Sequence, residues 1–392
     1  MIGPLDGVKV LDLTRLLPGG YATLLMADLG ANVVKIEEPG KGDYIRWSPP
    51  MVGSHSAAHI ALNRNKRSVT INLKAKDGRT LLEDLVGEYD VLIESFRPGV
   101  MDRLGVGHDA LRARNPRLVY CALSGYGQHG PRAATAGHDL NYIGYAGLLS
   151  IIGREADRPV IPGVQIGDLA GGGMASVIAV LAALVRRGVT GEGDFCDISM
   201  MDGALSWLSI HAAEFFATST VPQAELMALS GAWPCYRIYP AADGWLTVAA
   251  LEPHFWTELC EAIDRPDLVG DGFATGARRA DVVAELDDLF AAKTRAQWMA
   301  RLEGRDVCVG PVNDFDEAFA DDQVRARDMV IEAEVPGGGP FRHLGNPVKL
   351  SSAPPAGLRR PPPALGEHTD EVLEQAGIDE AGRSALRAAA AI

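Results

Sequence analysis

The 392-residue sequence predicts an α/β fold, with a doubly wound parallel sheet in a large domain and a smaller α+β domain after it. Two observations carry this expectation. The first third alternates short β-rich runs with helical runs, which is the signature of βαβ units. Near Trp233 the texture changes to a hairpin followed by helices.

"VKVLDLT" reads as the first strand, "GGYATLLMADLG" as a helix stopped by glycine, and "ANVVKIEE" as the second strand. "RSVTINL", the amphipathic "DGRTLLEDLVGEY", "DVLIESF" and "RLVYCALS" continue the alternation. Such a sheet is Rossmann-like and places ligands at the carboxyl ends of its strands. "DLAGGGMASVIAVLAALVRR" (168–187) reads as a buried helix that Asp168 opens towards a cavity, with arginines at the negative end of its dipole. Residues 200–218 read as a second long helix and 219–232 as an irregular linker. "PCYRIYPAADGWLTVAAL" is a hairpin around "ADG", and "EPHFWTELCEAI" and "VVAELDDLFAAKTRAQWMARLEG" are helical. The Pro- and Gly-rich tail is expected to return over the first domain as extended chain. The predicted organisation is a large domain over 1–190, linker helices over 191–232, a small domain over 233–330 and a returning segment over 331–392.

A net charge of −14 argues against nucleic acid and anionic membranes as partners, since a phosphate surface would be repelled. The five cysteines are scattered and odd in number, without the spacing of a zinc site or a disulfide framework, as in a reducing compartment. No charged-then-apolar leader, no run of about 18 apolar residues and no SKL-type address is visible, so the expectation is a cytoplasmic protein outside the membrane.

The first strand is followed by "LTRLLPGGYATLL", which lacks GxGxxG and puts Pro18 where a phosphate turn would lie; a nicotinamide dehydrogenase is disfavoured. Arg64, Lys66, Arg67, Lys74 and Lys76 crowd one stretch. They form either a solvated face or, with Arg97 and Arg103, a site for a phosphorylated ligand. His138 and Asp139 in "AGHDLNYIGYAG", Asp168 after "QIG" and Glu252 in "ALEPHFW" each read as a helix cap as readily as a site. Together they supply an imidazole and carboxylates, the groups needed to abstract a proton beside a carbonyl.

At these residues the chain resembles the family III CoA-transferase superfamily, and within it the α-methylacyl-CoA racemases. The resemblance runs through "PLDGVKVLDLT", "LMADLGANVVKIEEPG", "NRNKRSVTINLK", "FRPGVMDRLGVG", "GYGQHGPRAATAGHDLNYI", "GDLAGGGM", "TGEGDFCDISMMDG" and "ALGEHTDEVL", with "AGHDLNYI" and "LEPHFW" favouring the racemase branch. It implies that Asp168 is a nucleophile in a transferase, or one of two acid/base groups in a racemase, with His138 as the other. It implies that Glu252 assists His138 across the interface of an interlocked homodimer, with Asp139 in support. It also implies an acyl-CoA thioester as substrate, with no separate cofactor and no metal. Ile71, Asn72, Leu73 and Lys74 would meet the adenosine, Ser95, Phe96, Arg97 and Arg103 would add contacts, and Gly137, His138, Asp139, Leu140, Asn141 and Tyr142 would line the acyl end. Glu38 departs from the pattern, because the racemases can carry an arginine there; the phosphate contact is expected to be lost, or to move to Lys41 or Arg46.

The expected function is interconversion of 2-methylacyl-CoA epimers by two-base proton transfer through an enolate. The alternatives are a CoA-transferase forming an anhydride on Asp168 and a non-catalytic CoA-thioester-binding protein. Backbone N–H groups at the start of "DLAGGGM" are expected to face the enolate, and glycines there to admit the thioester closely. "YIGYAGLLSIIG" with Met174, Met200 and Met201 suggests an apolar acyl surface that fits fatty, sterol-side-chain or arylpropionyl groups alike.

Overall fold

A computed structural model describes residues 3–154, 158–353 and 359–392. The first two residues of the N-terminal stretch and residues 354–358 of the Pro- and Gly-rich tail lie outside the described residues.

The chain divides into two units. The first holds the residues up to Leu148, Pro162–Leu208 and Asp322–Ile392; the second holds Leu149–Ile161 and Ser209–Asp321. The first unit is built on a sheet of six strands: β1 (Lys9–Leu13), β2 (Asn32–Glu37), β3 (Lys66–Thr70), β4 (Val91–Glu94), β5 (Val119–Ser124) and β6 (Phe195–Ser199). Their spatial order is β3-β2-β1-β4-β5-β6, and every neighbouring pair is parallel. Order reverses beside β1, so the loops after β1 and β4 diverge and leave a crevice.

The strands read as continuous apolar runs because both faces are covered. Val10, Val33, Val91, Ile93, Val119 and Cys121 enter one core cluster with Ala22 and Met26 of helix α1 (Leu16–Asp28). Their neighbours Leu11, Val34, Leu92 and Tyr120 enter the opposite cluster with Leu81, Leu82 and Leu85 of the helix Lys76–Val86. This is the period-two alternation of a pleated strand.

β6 is a correction to the sequence reading, which placed its residues among linker helices. "FCDIS" alternates too weakly to announce a strand by itself; it pairs with β5 from Phe195 opposite Tyr120 to Ser199 opposite Ser124. The second long helix expected over 200–218 is instead two helices, Met200–Ser206 and Ser209–Thr218.

Before β6 come α2 (Asp139–Tyr145), a π-helical segment Gly167–Met174, and α3 (Ala175–Thr190) that continues it. α3 is not buried all round as expected. Val180 and Ala183 enter the core, while Ile178, Val185 and Val189 are 69%, 73% and 88% exposed. The whole helix Gly167–Thr190 is long and apolar enough to cross a membrane by length and composition, contrary to the expectation that no such run exists. Glycine, alanine and a single serine dilute the run to the eye, and one side of it packs on β5 and β6.

In the second unit, the hairpin Tyr236–Ala241 and Gly244–Ala249 pairs antiparallel and is joined by Val309–Pro311. Tyr239, Leu246, Trp256, Phe290 and Trp298 form its core. The tail is more than extended chain. "PGGGP" turns a hairpin between Val330–Val335 and Gly339–Leu344, with Gly337 and Gly339 at positive φ, and helices cover Thr369–Gln375 and Glu380–Ala388.

Candidate active site

Two cavities open at the carboxyl ends of the strands in the first unit. One, of about 440 Å³, is lined by the ends of β1 to β3 and by the segment after β4: Leu13, Glu38, Lys41, Ile71, Asn72, Leu73 and Lys74 among others. The other, of about 370 Å³, includes Ser95, Arg97, Ser124, Gly137, His138, Tyr142, Asp168 and Met200. Arg15, Tyr44 and Phe96 line both, so the cavities form one groove with a cationic and aromatic waist. The Arg15 guanidinium lies 5.1 Å from the Phe96 ring centre and 5.4 Å from that of Tyr44.

His138 precedes α2, and its backbone N–H donates to Asn141 Oδ1 at 3.1 Å. The Tyr142 hydroxyl donates to the carbonyl of Gly137 at 2.5 Å, fixing the residue before His138. Burial, then the nearby Asp168 carboxyl, pushes the Tyr142 phenol up to about 12, so it stays a donor. Asp139 turns away from His138 and accepts the Asp168 N–H through Oδ1 at 2.9 Å. Burial and then the Asp139 charge push the Asp168 carboxyl up to about 7. His138 forms a capping box with Asn141 at the start of α2, and both His138 and Asp168 line the cavity, where a ligand can reach them.

The glycines after Asp168 serve packing rather than thioester approach. A Cβ on Gly171 would lie 2.6 Å from the Met200 carbonyl oxygen, and one on Gly203 would lie 2.2 Å from the Gly171 carbonyl oxygen. Two N–H groups at this helix start are also taken, Asp168 by Asp139 and Leu169 by the Gln165 carbonyl. They therefore do not face an enolate. Arg97 lines the cavity with Arg15; it acts on the Tyr142 phenol, and its guanidinium has no hydrogen-bond partner among the described residues, which makes it the freer cation to meet developing negative charge.

Leu140 and Asn141 are exposed and lie outside the cavity lining, as does Arg103, which sits beside Gly99. Glu252 caps the helix Pro253–Ala262 in the second unit, whereas the groove is lined wholly by the first. Arg46 is withdrawn from any phosphate, because it is buried and forks onto Glu37 with both bonds at 2.7 Å. Glu38 pairs with Lys74 at 2.9 Å and with Lys41 at 3.9 Å, two cations at the rim of the first cavity.

Most of the basic cluster is structural. Lys66 is fully buried against Asp12 at 3.2 Å, Arg64 pairs with Asp28 at 2.6 Å, and Arg67 pairs with Glu371 at 2.9 Å. Of the five, Lys74 and Lys76 remain exposed. Arg15 and Tyr44 were missed by sequence reasoning. Their signal was positional: Arg15 directly follows the strand beside which the order reverses. The five cysteines are free, and no group of three potential metal ligands occurs among the described residues.

The profile of CoA-transferase family III matches residues 5–369. The chain belongs to that family. It is 34% identical to human succinyl-CoA:glutarate CoA-transferase over 95% of this chain and 86% of the relative. It is also 34% identical to human alpha-methylacyl-CoA racemase, over 95% of this chain and 94% of the relative. A crystal structure of a CAIB/BAIF family protein from Brucella suis is 32% identical, with a TM-score of 0.84 over 96% of this chain and all of that one. A transferase and a racemase thus stand at equal identity to this chain.

Proposed function

We propose that this family III enzyme is a racemase of 2-methylacyl-CoA thioesters. The observation that carries the reading is that His138 lines the same cavity as an Asp168 whose carboxyl is pushed up to about 7. A carboxyl poised near neutrality gives a proton in one direction and takes one in the other, as racemisation requires.

In one direction neutral His138 removes the α-proton, and the electron pair enters the thioester as an enolate. Protonated Asp168 then delivers its proton to the opposite face. The product is the other epimer, with imidazolium at position 138 and carboxylate at 168; the reverse reaction exchanges the roles. A positioned base accounts for roughly 10²–10⁴-fold. Stabilising the enolate, a task that falls to Arg97, accounts for several kcal/mol more.

The CoA moiety fits the other cavity, where Ile71, Leu73 and Phe96 offer an apolar surface and Lys41, Lys74 and Arg15 offer cations to its phosphates. CoA enters as part of the substrate, with no other cofactor. Glu252 would reach the site from a second copy in an interlocked homodimer. The exposed Ile178, Val185, Trp207, Ile210 and Phe216 support such a partner, since apolar faces of this extent seek cover.

The test is a single pure epimer of a 2-methylacyl-CoA in deuterium oxide. Deuterium should enter the α-position while optical rotation decays towards zero. A second reading, transfer of CoA through an Asp168 anhydride, is favoured by the equally similar transferase relatives. It would show acyl exchange with free acids, a hydroxylamine-trappable acyl-enzyme and no α-exchange, and that result would overturn the racemase.

A further inference from the structure

Glu94 ends β4, directly before the Ser95–Phe96–Arg97 segment that lines the groove. It is a buried carboxyl, only 4% exposed, with no direct place in proton transfer. Its Oε2 accepts the Phe96 backbone N–H at 2.7 Å, and its Oε1 lies 3.5 Å from the Tyr120 hydroxyl. Downstream the chain turns at once, with the Val100 N–H on the Arg97 carbonyl and Gly99 at φ +76°. The Ser95 hydroxyl oxygen in turn accepts the Arg15 N–H at 3.0 Å, and the Phe96 ring meets the Arg15 guanidinium. The waist of the groove therefore hangs on the conformation of two residues, and Glu94 fixes the second.

We propose that Glu94 is a positioning residue for the substrate groove, its carboxylate holding the Phe96 N–H so that Phe96 and Arg15 meet where the two cavities join. This rests on the reading of the groove as a CoA-thioester site. An ionised acceptor holds a backbone N–H about twice as strongly as a neutral one. The groups facing Glu94 are Tyr120 and the Cys121 thiol from β5 and Asp102 from the short helix Val100–Arg103; the His108 ring lies edge-on to Tyr120 at 5.6 Å. Among the described residues no cation acts on it; burial, with a smaller contribution from the Asp102 charge, outweighs the two hydrogen bonds and pushes the carboxyl up to about 7. The hold therefore tightens as pH rises through neutrality.

The experiment is calorimetric titration of free CoA into the full-length chain and its Glu94→Ala, Glu94→Gln and Tyr120→Phe variants at pH 6 and pH 8, with a thermal melt of each. Glu94→Ala should weaken CoA binding about tenfold at pH 8, the loss expected for a hydrogen bond to a charged group. Tyr120→Phe, which leaves the Phe96 contact intact, should bind within about twofold of the wild type. Glu94→Gln keeps a neutral acceptor, so it should match the wild type at pH 6 and lose the extra tightening at pH 8. A folded Glu94→Ala that binds CoA like the wild type would overturn the proposal, and so would a Glu94→Gln that keeps the wild-type pH response. If Glu94→Ala does not fold, the Glu94→Gln pH response decides alone. A wild-type chain that does not bind CoA would fail differently, since it removes the reading of the groove itself.

Discussion

Asp139 Oδ1 accepts the backbone N–H of Asp168 at 2.9 Å, joining two carboxylates 29 residues apart at one corner of the groove. The contact does two things. It orients the start of the π-helical segment, and it sets a negative charge beside the Asp168 carboxyl, adding to the burial that already raises it. Asp139, adjacent to His138 in sequence, thus acts on the other catalytic candidate.

Asp139→Asn should keep an acceptor for the Asp168 N–H and remove the charge. The Asp168 midpoint should then fall below about 7, since the second of its two raising causes is gone. Carbon-detected NMR of labelled aspartate carboxyls across pH 4 to 9 would read it. An unchanged midpoint would mean that burial alone sets the value.

The raised carboxyl also costs stability. Asp168 prefers its proton in the folded chain, so its contribution is fully present below the ordinary value of 3.8 and is lost as pH rises through about 7. Asp168→Asn removes the titration. Its melting temperature should exceed that of the wild type at pH 8 by about 2–4 °C, for a partly solvent-screened gain of about 1 kcal/mol, and should match it near pH 4. A variant less stable at pH 8 would show that the carboxylate makes a compensating contact.

The opposite sign holds at Asp12. Burial alone would raise this carboxyl, but Lys35 and Lys66 outweigh it and hold Asp12 down to about 2. Its contribution is present above the ordinary 3.8 and lost as pH falls towards 2. Asp12→Ala would take from Lys66 the carboxylate it pairs with at 3.2 Å and leave Lys35 to Asp43, 3.0 Å away, and to Glu37. The expected cost at pH 7 is about 3–5 kcal/mol, seen as an early unfolding transition of the first unit. Unfolding at the wild-type temperature would show that Asp43 and Glu37 suffice to neutralise the buried lysines.

The first five strands of the sheet were legible in the sequence because β-branched runs alternate with helical ones, and burial on both faces makes each run apolar. β6 was not, because "FCDIS" carries an aspartate and a serine in a five-residue strand whose identity comes from pairing with β5. His138 and Asp168 stood out as residue types at helix starts, and the 71–74 segment as the end of a strand. The destinations of Arg46, Arg64, Lys66 and Arg67 were not, since a cation's role depends on which acid the fold brings to it. Lys66 lies 54 residues from Asp12, and no local pattern links them. Glu252 shows the remaining gap: it stands at the start of a helix in the second unit, and no local pattern in the sequence says what it acts on.

Arg15 gives the sharpest test of the groove. Its guanidinium stands over both Phe96 and Tyr44 and lines both cavities, so it can meet a CoA phosphate while stacked on the aromatic waist. Arg15→Lys keeps the charge but loses the planar stacking and the forked donors; Arg15→Ala loses both. CoA binding should therefore weaken in two steps, by about threefold for lysine and by about tenfold or more for alanine. Raising the salt concentration should erode the wild-type advantage, because a phosphate contact is screened while stacking is not. Equal binding by all three proteins would move the phosphate contact to Lys41 and Lys74 and leave Arg15 as a structural bridge between Phe96 and Tyr44.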